Sequence, residues 1–270
     1  MIKEHKPYYK EVGEYYDQDA PQFEHRYWEN KTLQTIRQSF REETEAQQFG
    51  DNILEVGFGP GVDIIYFAKK YPQKKVSGID ISDGMHQHAQ SQVEANKLTN
   101  TRLEVGSVED IKELFPRQKF DLIYVYFGAL NTVSDLHLAA ELLKDVLSAD
   151  GKLVITVINK WYLSGIALPL MKGKVSVAFR RLQKVWGGYS NTRQLESKCY
   201  TPAEIKKAFS SFQIIKRRGY SIAYPAWYQN NIVKKLGSLA NALWKLDVIL
   251  NCTPFWSKGE YALYILKHRR

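Results

Sequence analysis

An α/β protein built on a doubly wound, mostly parallel sheet is what this sequence predicts, on three grounds. Short apolar runs of strand type alternate with helix-type periodicity from about residue 50 to residue 158. That alternation gives parallel sheets covered by helices on both faces. The first run, Ile53-Leu54-Glu55-Val56, passes directly into Gly57-Phe58-Gly59-Pro60-Gly61 and then a helical stretch. Residues 120–127, Phe-Asp-Leu-Ile-Tyr-Val-Tyr-Phe, are almost continuously apolar, as expected of a central parallel strand buried on both faces.

The 270 residues, 44% hydrophobic and 25% charged, suit one soluble domain with an elaboration or a small second lobe. No run approaches the roughly 20 apolar residues a membrane span needs; the longest candidate, residues 161–171, is too short and contains Pro169. The start, Met-Ile-Lys-Glu-His-Lys, is too polar for a signal peptide, so a cytoplasmic location is expected. Two cysteines, Cys199 and Cys252, suggest neither a disulfide framework nor a zinc site, and no metal is expected. The formal charge of +9 is uneven: residues 160–218 hold thirteen Lys or Arg against Glu196 and Glu204. Such a concentration fits either a solvated basic face or contact with an anionic partner, for instance an anionic membrane surface.

In chain order, residues 8–48 read mainly helical, with Tyr15, Tyr16, Phe23, Tyr27, Trp28, Leu33, Ile36 and Phe40 at spacings near three and four. Pro21 is expected to divide them into a short and a longer helix. After the glycines, residues 62–71 form a helix closed by Pro72, and residues 75–81 a strand ending in an acid. Ser82 caps a helix over 83–96, whose His86 and His88 are expected on the surface. Residues 101–106 are a third strand, 120–127 a fourth, 135–147 a helix containing His137, 149–152 a turn and 153–158 a fifth strand.

Residues 161–197 break the alternation and read as an insertion carrying Trp161, Tyr162, Phe179, Trp186 and Tyr189 among basic residues. Thr201-Pro202-Ala203-Glu204 is a capped helix start, and 212–220 a strand. Residues 230–251 form an amphipathic helix with Ile232, Leu236, Leu239, Leu243, Leu246 and Leu250 on one face. Residues 260–267 are a last strand.

Glycine permits bent backbone against which a ligand can lie. A dinucleotide fingerprint would place its third glycine at position 62, which is Val62. The phrase Glu55-x-Gly57-x-Gly59-x-Gly61 instead resembles motif I of the class I S-adenosylmethionine-dependent methyltransferases, and Tyr15-Tyr16-Asp17-x-x-Ala20 resembles the lead-in of their small-molecule branch. Phe23 and Glu24 stand where that lead-in often has Tyr and Asp.

The resemblance implies a Rossmann-like methyltransferase fold of seven strands, the seventh inserted antiparallel. Residues 1–48 would form a helical lid, 49–270 the methyltransferase domain, and about 160–200 an inserted acceptor-binding segment. It implies S-adenosyl-L-methionine as cofactor and S-adenosyl-L-homocysteine as product. Glu55, Gly57, Gly59 and Gly61 would hold the methionine end. Ser107 and Val108 would meet the adenine, the family usually having Asp where Ser107 stands. Tyr126, Phe127 and Asn131 would border the reacting sulfur at the fourth-strand tip, and Tyr16 the lid side. Independently of the family, Asp80 lies about 20 residues beyond the glycines at a strand tip, beside Ile81, where a carboxylate accepts ribose hydroxyls.

Methyl transfer asks the protein for alignment, exclusion of water and sometimes a base. His137, Tyr16, His25 and Glu24 are the candidates of suitable type. Amino-methylating nucleic-acid enzymes resemble Asn/Asp-Pro-Pro-Tyr/Phe after the fourth strand, where this chain has Tyr126-Phe127-Gly128-Ala129. Neither cysteine lies at that tip to attack a pyrimidine, so a nucleic-acid acceptor is disfavoured, although the basic, aromatic insertion leaves RNA as an alternative, since aromatics stack bases beside a cationic groove. The expected acceptor is a small, largely apolar or lipid-like molecule. An NAD(P)-dependent oxidoreductase and a non-catalytic S-adenosylmethionine-binding protein are the alternatives. Oligomeric state is not encoded in any motif.

Overall fold

The computed structural model describes residues 7–183 and 195–269; Trp186, Tyr189, Gly187 and Gly188 of the insertion lie outside them. Two helices lead, α1 (Pro7–Glu29) and α2 (Lys31–Glu45). The helix does not break at Pro21 as expected. Asp17 accepts from Ser82 Oγ (2.6 Å) and the Gly84 amide (2.9 Å), and Glu24 meets His88 (2.6 Å), so contacts on both sides of the proline hold α1 on one course. The division comes at Asn30 instead, whose side chain accepts from Leu33 N and caps α2.

Five parallel strands follow with their crossovers: β1 (Asn52–Val56), α3 (Val62–Lys70), β2 (Lys75–Asp80), α4 (Asp83–Ala95), β3 (Thr101–Val105), α5 (Ile111–Leu114), β4 (Phe120–Val125), α6 (Leu136–Val146) and β5 (Leu147–Ile158). The turn expected at 149–152 lies inside β5, absorbed by a register shift opposite Phe120 and Leu122. The remaining elements are α7 (Leu163–Met171), α8 (Val175–Ala178), α9 (Pro202–Ala208), β6 (Phe212–Tyr220), α10 (Asn230–Leu236), α11 (Leu239–Leu250) and β7 (Tyr261–His268). Thr201 and Glu204 form the capping box expected at the start of α9.

The strand order is β3-β2-β1-β4-β5-β7-β6, with β7 antiparallel to both neighbours. The last strand is therefore internal, and all of Tyr261–Leu266 is buried. β6 takes the edge, where Lys216, Arg217 and Arg218 discourage further pairing. Lys216 and Arg218 both reach Glu43 of α2 (2.6 and 2.8 Å), so part of the basic 160–218 segment is neutralised within the fold.

Alternate residues of β1 pack on opposite faces of the sheet: Leu54 and Val56 join the α5, α6 and α9 side, Ile53 the α2, α3 and α4 side. The stripe expected over 230–251 does not form one buried face. Gly237, at φ +53°, separates α10 from α11. The buried positions of α11 are Ala240 and Asp247, and Leu239 and Leu246 face outward. Asp247 accepts from the amides of Ile222, Ala223 and Tyr224 (3.1, 2.6 and 3.0 Å), so α11 is anchored by a loop cap, not by leucines.

Candidate active site

The chain reverses direction across the sheet between β1 and β4, and ligands of open α/β sheets bind beyond the carboxyl ends of the strands at such a point. There the three glycines have distinct tasks. Gly57 (φ +75°) has no room for a side chain: a Cβ would lie 2.6 Å from that of Ala129. Gly61 (φ +79°) lets α3 pass α4, with Ala89 where its Cβ would press at 2.9 Å. Gly59 (φ +53°) faces open space, and its amide donates to Asp80 Oδ2 at 2.7 Å.

A cavity of about 170 Å³ opens at this point. It is lined by Val56, Gly57, Gly59, Ile79, Asp80, Ile81, Met85, Gly106, Ser107 and Val108 around the tips of β1 to β3, and also by Tyr16, Phe23, Arg26, Leu33, Phe127, Trp227 and Tyr261. Of the residues expected to hold the cofactor, Tyr16, Gly57, Gly59, Asp80, Ile81, Ser107, Val108, Tyr126 and Phe127 line it. Asp80 is almost wholly buried, with Oδ1 accepting from Ser82 N at 3.0 Å. Burial pushes its carboxyl up to about 6, against the lowering effect of the Ser82 and Gly59 amides.

Ser107 stands at the cavity, but its hydroxyl already donates to Asp110 (2.7 Å) and accepts from Glu109 N (3.1 Å). Tyr126 presents only its ring; its hydroxyl bonds Thr44 and donates to the Phe40 carbonyl (3.2 Å). Phe127 and Gly128 both adopt left-handed backbone, φ +51° and +78°, turning the chain sharply at the β4 tip. For a phenylalanine such a conformation costs on the order of 1 kcal/mol.

Glu55, Gly61 and Asn131 lie outside the lining. Glu55 alternates to the other face of β1, where it takes the hydroxyl of Tyr124 at 3.0 Å. Burial, then the nearby charge of Asp63, pushes its carboxyl well above the ordinary range. Asn131 accepts from Ile158 N (3.0 Å) and donates to the Lys198 carbonyl (2.6 Å), tying the β4 tip to β5 and the chain after the insertion. Of the four candidates for a base, only Tyr16 reaches the cavity. His137 bonds the Ala208 carbonyl (3.1 Å), His25 is exposed beside Glu29 (3.4 Å), and Glu24 is engaged by His88 and Trp28. His88, expected on the surface, thus fastens α4 to α1. No described residue of the 160–200 segment lines the cavity; Trp227 and Tyr261 do.

Arg37 was not signalled by any motif. Its guanidinium lies over the rings of Tyr27 (4.9 Å) and Phe127 (4.5 Å), and Nη1 bonds Asp63. Its buried Nε has no partner among the described residues. Arg41 also bonds Asp63, at 2.7 Å. Asp63 is wholly buried between the two arginines, so two guanidiniums share one carboxylate beside the cavity. Two arginines four residues apart on the apolar face of α2 were the available clue.

The glycine cradle, the buried acid at the next strand and the spare guanidinium valence fit an adenosyl amino acid. The carboxylate of Asp80 suits ribose hydroxyls, and the cation suits an α-carboxylate. Fold and cavity together define a class I S-adenosylmethionine-dependent methyltransferase. Residues 48–216 match the family described as a methyltransferase domain, and the chain belongs to that family, with S-adenosylmethionine as its cofactor.

An uncharacterized protein of Rickettsia prowazekii (strain Madrid E) is 32% identical over 102 residues, 37% of this chain and 39% of that protein. A tRNA (guanine-N(7)-)-methyltransferase of Chlorobium phaeobacteroides (strain DSM 266 / SMG 266 / 2430) is 29% identical over 100 residues, 37% and 48% of the two chains. These matches therefore span less than half the length of either relative. Among solved structures, geranyl diphosphate C-methyltransferase from Streptomyces coelicolor A3(2), in complex with Mg2+, geranyl diphosphate and S-adenosyl-L-homocysteine, superposes with TM-score 0.64 at 13% identity over 98% of this chain and 99% of that one. The [4+2]-cyclase SpnF gives 0.64 at 17% over 97% of each. An S-adenosylmethionine-dependent methyltransferase from Clostridium acetobutylicum ATCC 824 gives 0.57 at 13% over 86% and 90%. At these identities the likeness establishes the fold.

The raised Asp80 carboxyl has a readable consequence. An ionised carboxylate can accept two hydroxyls; if Asp80 holds the ribose, affinity for S-adenosylhomocysteine should fall about tenfold per pH unit below 6, while staying flat above 7. In the free protein the sign is opposite. The folded state holds the Asp80 proton more tightly than the unfolded chain between about 4 and 6, so this group makes the fold less stable as pH rises through that window. Calorimetric titration at several pH values checks the first effect, and a pH-independent affinity contradicts it.

Proposed function

We propose that the chain transfers the methyl group of S-adenosylmethionine to an O, N or C atom of a small, largely apolar or lipid-like acceptor. The observation that carries this reading is that the cavity lined by Gly59 and Asp80 is also lined by Phe23, Leu33, Phe127, Trp227 and Tyr261. Aromatic and aliphatic walls recognise apolar molecules, with a few polar groups fixing orientation. The S. coelicolor neighbour, named for geranyl diphosphate methylation, supports an acceptor of this kind.

The cofactor supplies an activated methyl group on a sulfonium, so the chain's own tasks are geometric. Asp80, with Gly57 and Gly59, holds the adenosyl part, and Arg37 the amino acid carboxylate. Phe127 and the β4 tip set the border between donor and acceptor. The lid residues Tyr16 and Phe23 exclude water. Orientation of this kind can lower a barrier by about 7–11 kcal/mol. Tyr16 is the candidate to hold or remove an acceptor proton; no imidazole lines the cavity among the described residues.

The tRNA methyltransferase matches supply a second reading. Each covers about 100 residues, whereas the cavity wall runs from Tyr9 to Tyr261, so its acceptor end is not contained in either match. Incubation with methyl-labelled S-adenosylmethionine, against a panel of prenyl, acyl and phenolic compounds and bulk tRNA, separates the two. Label is expected in an apolar small molecule. Label confined to tRNA would overturn the proposal, and cofactor binding without any transfer would favour a non-catalytic protein.

A further inference from the structure

Many large apolar side chains of α7, α8, α10 and α11 stand outside the core. Helix α7 has no buried residue, and Met171 is 83% exposed, Val175 58%, Leu239 53% and Ile249 64%. Patches of this extent on a folded surface mark interaction sites. The charge on the same elements is one-sided. Residues 161–183 carry Lys172, Lys174 and Arg180 and no acid, Arg181 being buried against Glu260; residues 226–259 carry Lys234, Lys235, Lys245 and Lys258, with Asp247 as the single acid. Asp247 is buried in its loop cap, so it offers no negative charge outward.

The two regions are joined in space. Ser164 of α7 donates to the Ile222 carbonyl (3.3 Å), and the amides of Ile222 to Tyr224 are held by Asp247 of α11. Arg181, after α8, and Tyr228, before α10, both bond Glu260 Oε2 (2.6 and 3.3 Å). One loop and one carboxylate thus brace α7–α8 against α10–α11. Trp227, adjacent to Tyr228, lines the cavity.

We propose that α7–α8 and α10–α11 form one interfacial surface that docks on an anionic phospholipid bilayer, presenting the acceptor end of the cavity to it. Helices of four to twelve residues are too short to span a bilayer but suit a position in its headgroup layer, apolar side chains inward and lysines among the phosphates. This replaces the whole 160–218 segment as the contact, since Arg181, Lys216 and Arg218 are paired within the fold. The docking surface stands without the acceptor reading; only the link between membrane and acceptor rests on it.

Flotation of the whole chain with phosphatidylcholine vesicles, with and without phosphatidylglycerol, tests the proposal. Binding is expected to the anionic vesicles, weakened by high salt. Each Lys→Gln change at Lys172, Lys174, Lys234 or Lys235 should reduce partitioning about fivefold. Met171→Glu and Ile249→Glu should each reduce it about tenfold or more. All six positions are exposed, so melting temperature and S-adenosylhomocysteine affinity without vesicles should match the wild type. Failure of the membrane proposal is thereby distinguished from failure of the cofactor site. Absence of wild-type binding overturns the proposal, as does equal binding to neutral vesicles. A dimer in solution that Ile249→Glu dissociates also overturns it, assigning the surface to a second copy.

Discussion

Asp80→Ala is expected to weaken S-adenosylhomocysteine binding at least about a hundredfold. Both carboxylate oxygens already accept a backbone amide, from Gly59 and Ser82, which fixes the plane of the group. The cavity-facing lone pairs are left for a ribose. A hydrogen bond to an ionised group contributes about 1.5–3 kcal/mol. Two such bonds come to at least about 3 kcal/mol, and each 1.4 kcal/mol is a factor of ten. Calorimetric titration reads the effect directly, and the steep affinity loss below pH 6 should vanish in the same variant. Binding within a factor of five of the wild type would remove Asp80 from the ligand site.

The largest stability effect is expected at Asp63. Its side chain is wholly buried and is shared by Arg37 and Arg41 of α2. Asp63→Ala leaves two guanidiniums without their anion in a site closed to water. Breaking a buried pair from one side costs about 3–5 kcal/mol, which in a chain of this size lowers the melting temperature by roughly 10 °C. Arg37 also loses the bond that sets its guanidinium at the cavity, so cofactor affinity should fall with stability. Thermal unfolding followed by circular dichroism measures the first effect. A shift below about 3 °C, corresponding to roughly 1 kcal/mol, would show that the arginines find other partners.

The sheet and its glycine cradle were legible because their signals are local. A strand, a bend that only glycine fits, and a capped helix are written in adjacent residues, as at Gly57 and Ser82. Inversion of β7 followed from family resemblance, and its internal position accounts for the unbroken apolar run Tyr261–Leu266. What escaped depends on contacts distant in sequence. Pro21 does not interrupt α1 because Asp17 and Glu24 are held by α4 on either side of it. Glu55 belongs to the motif, yet strand alternation turns it toward Tyr124. Trp227, Tyr261 and Tyr16 come to line one cavity only after the chain has folded. The leucines of 230–251 have helical spacing, but that spacing does not say whether their face meets a core or solvent.

The most direct test of the central claim is a crystal structure of the chain with S-adenosylhomocysteine. The ribose is expected within hydrogen-bond distance of Asp80, the bare backbone of Gly59 beside the adenosyl group, and the ligand carboxylate on Arg37. A cavity that stays empty at saturating ligand, or that takes up NADH in its place, would contradict the account.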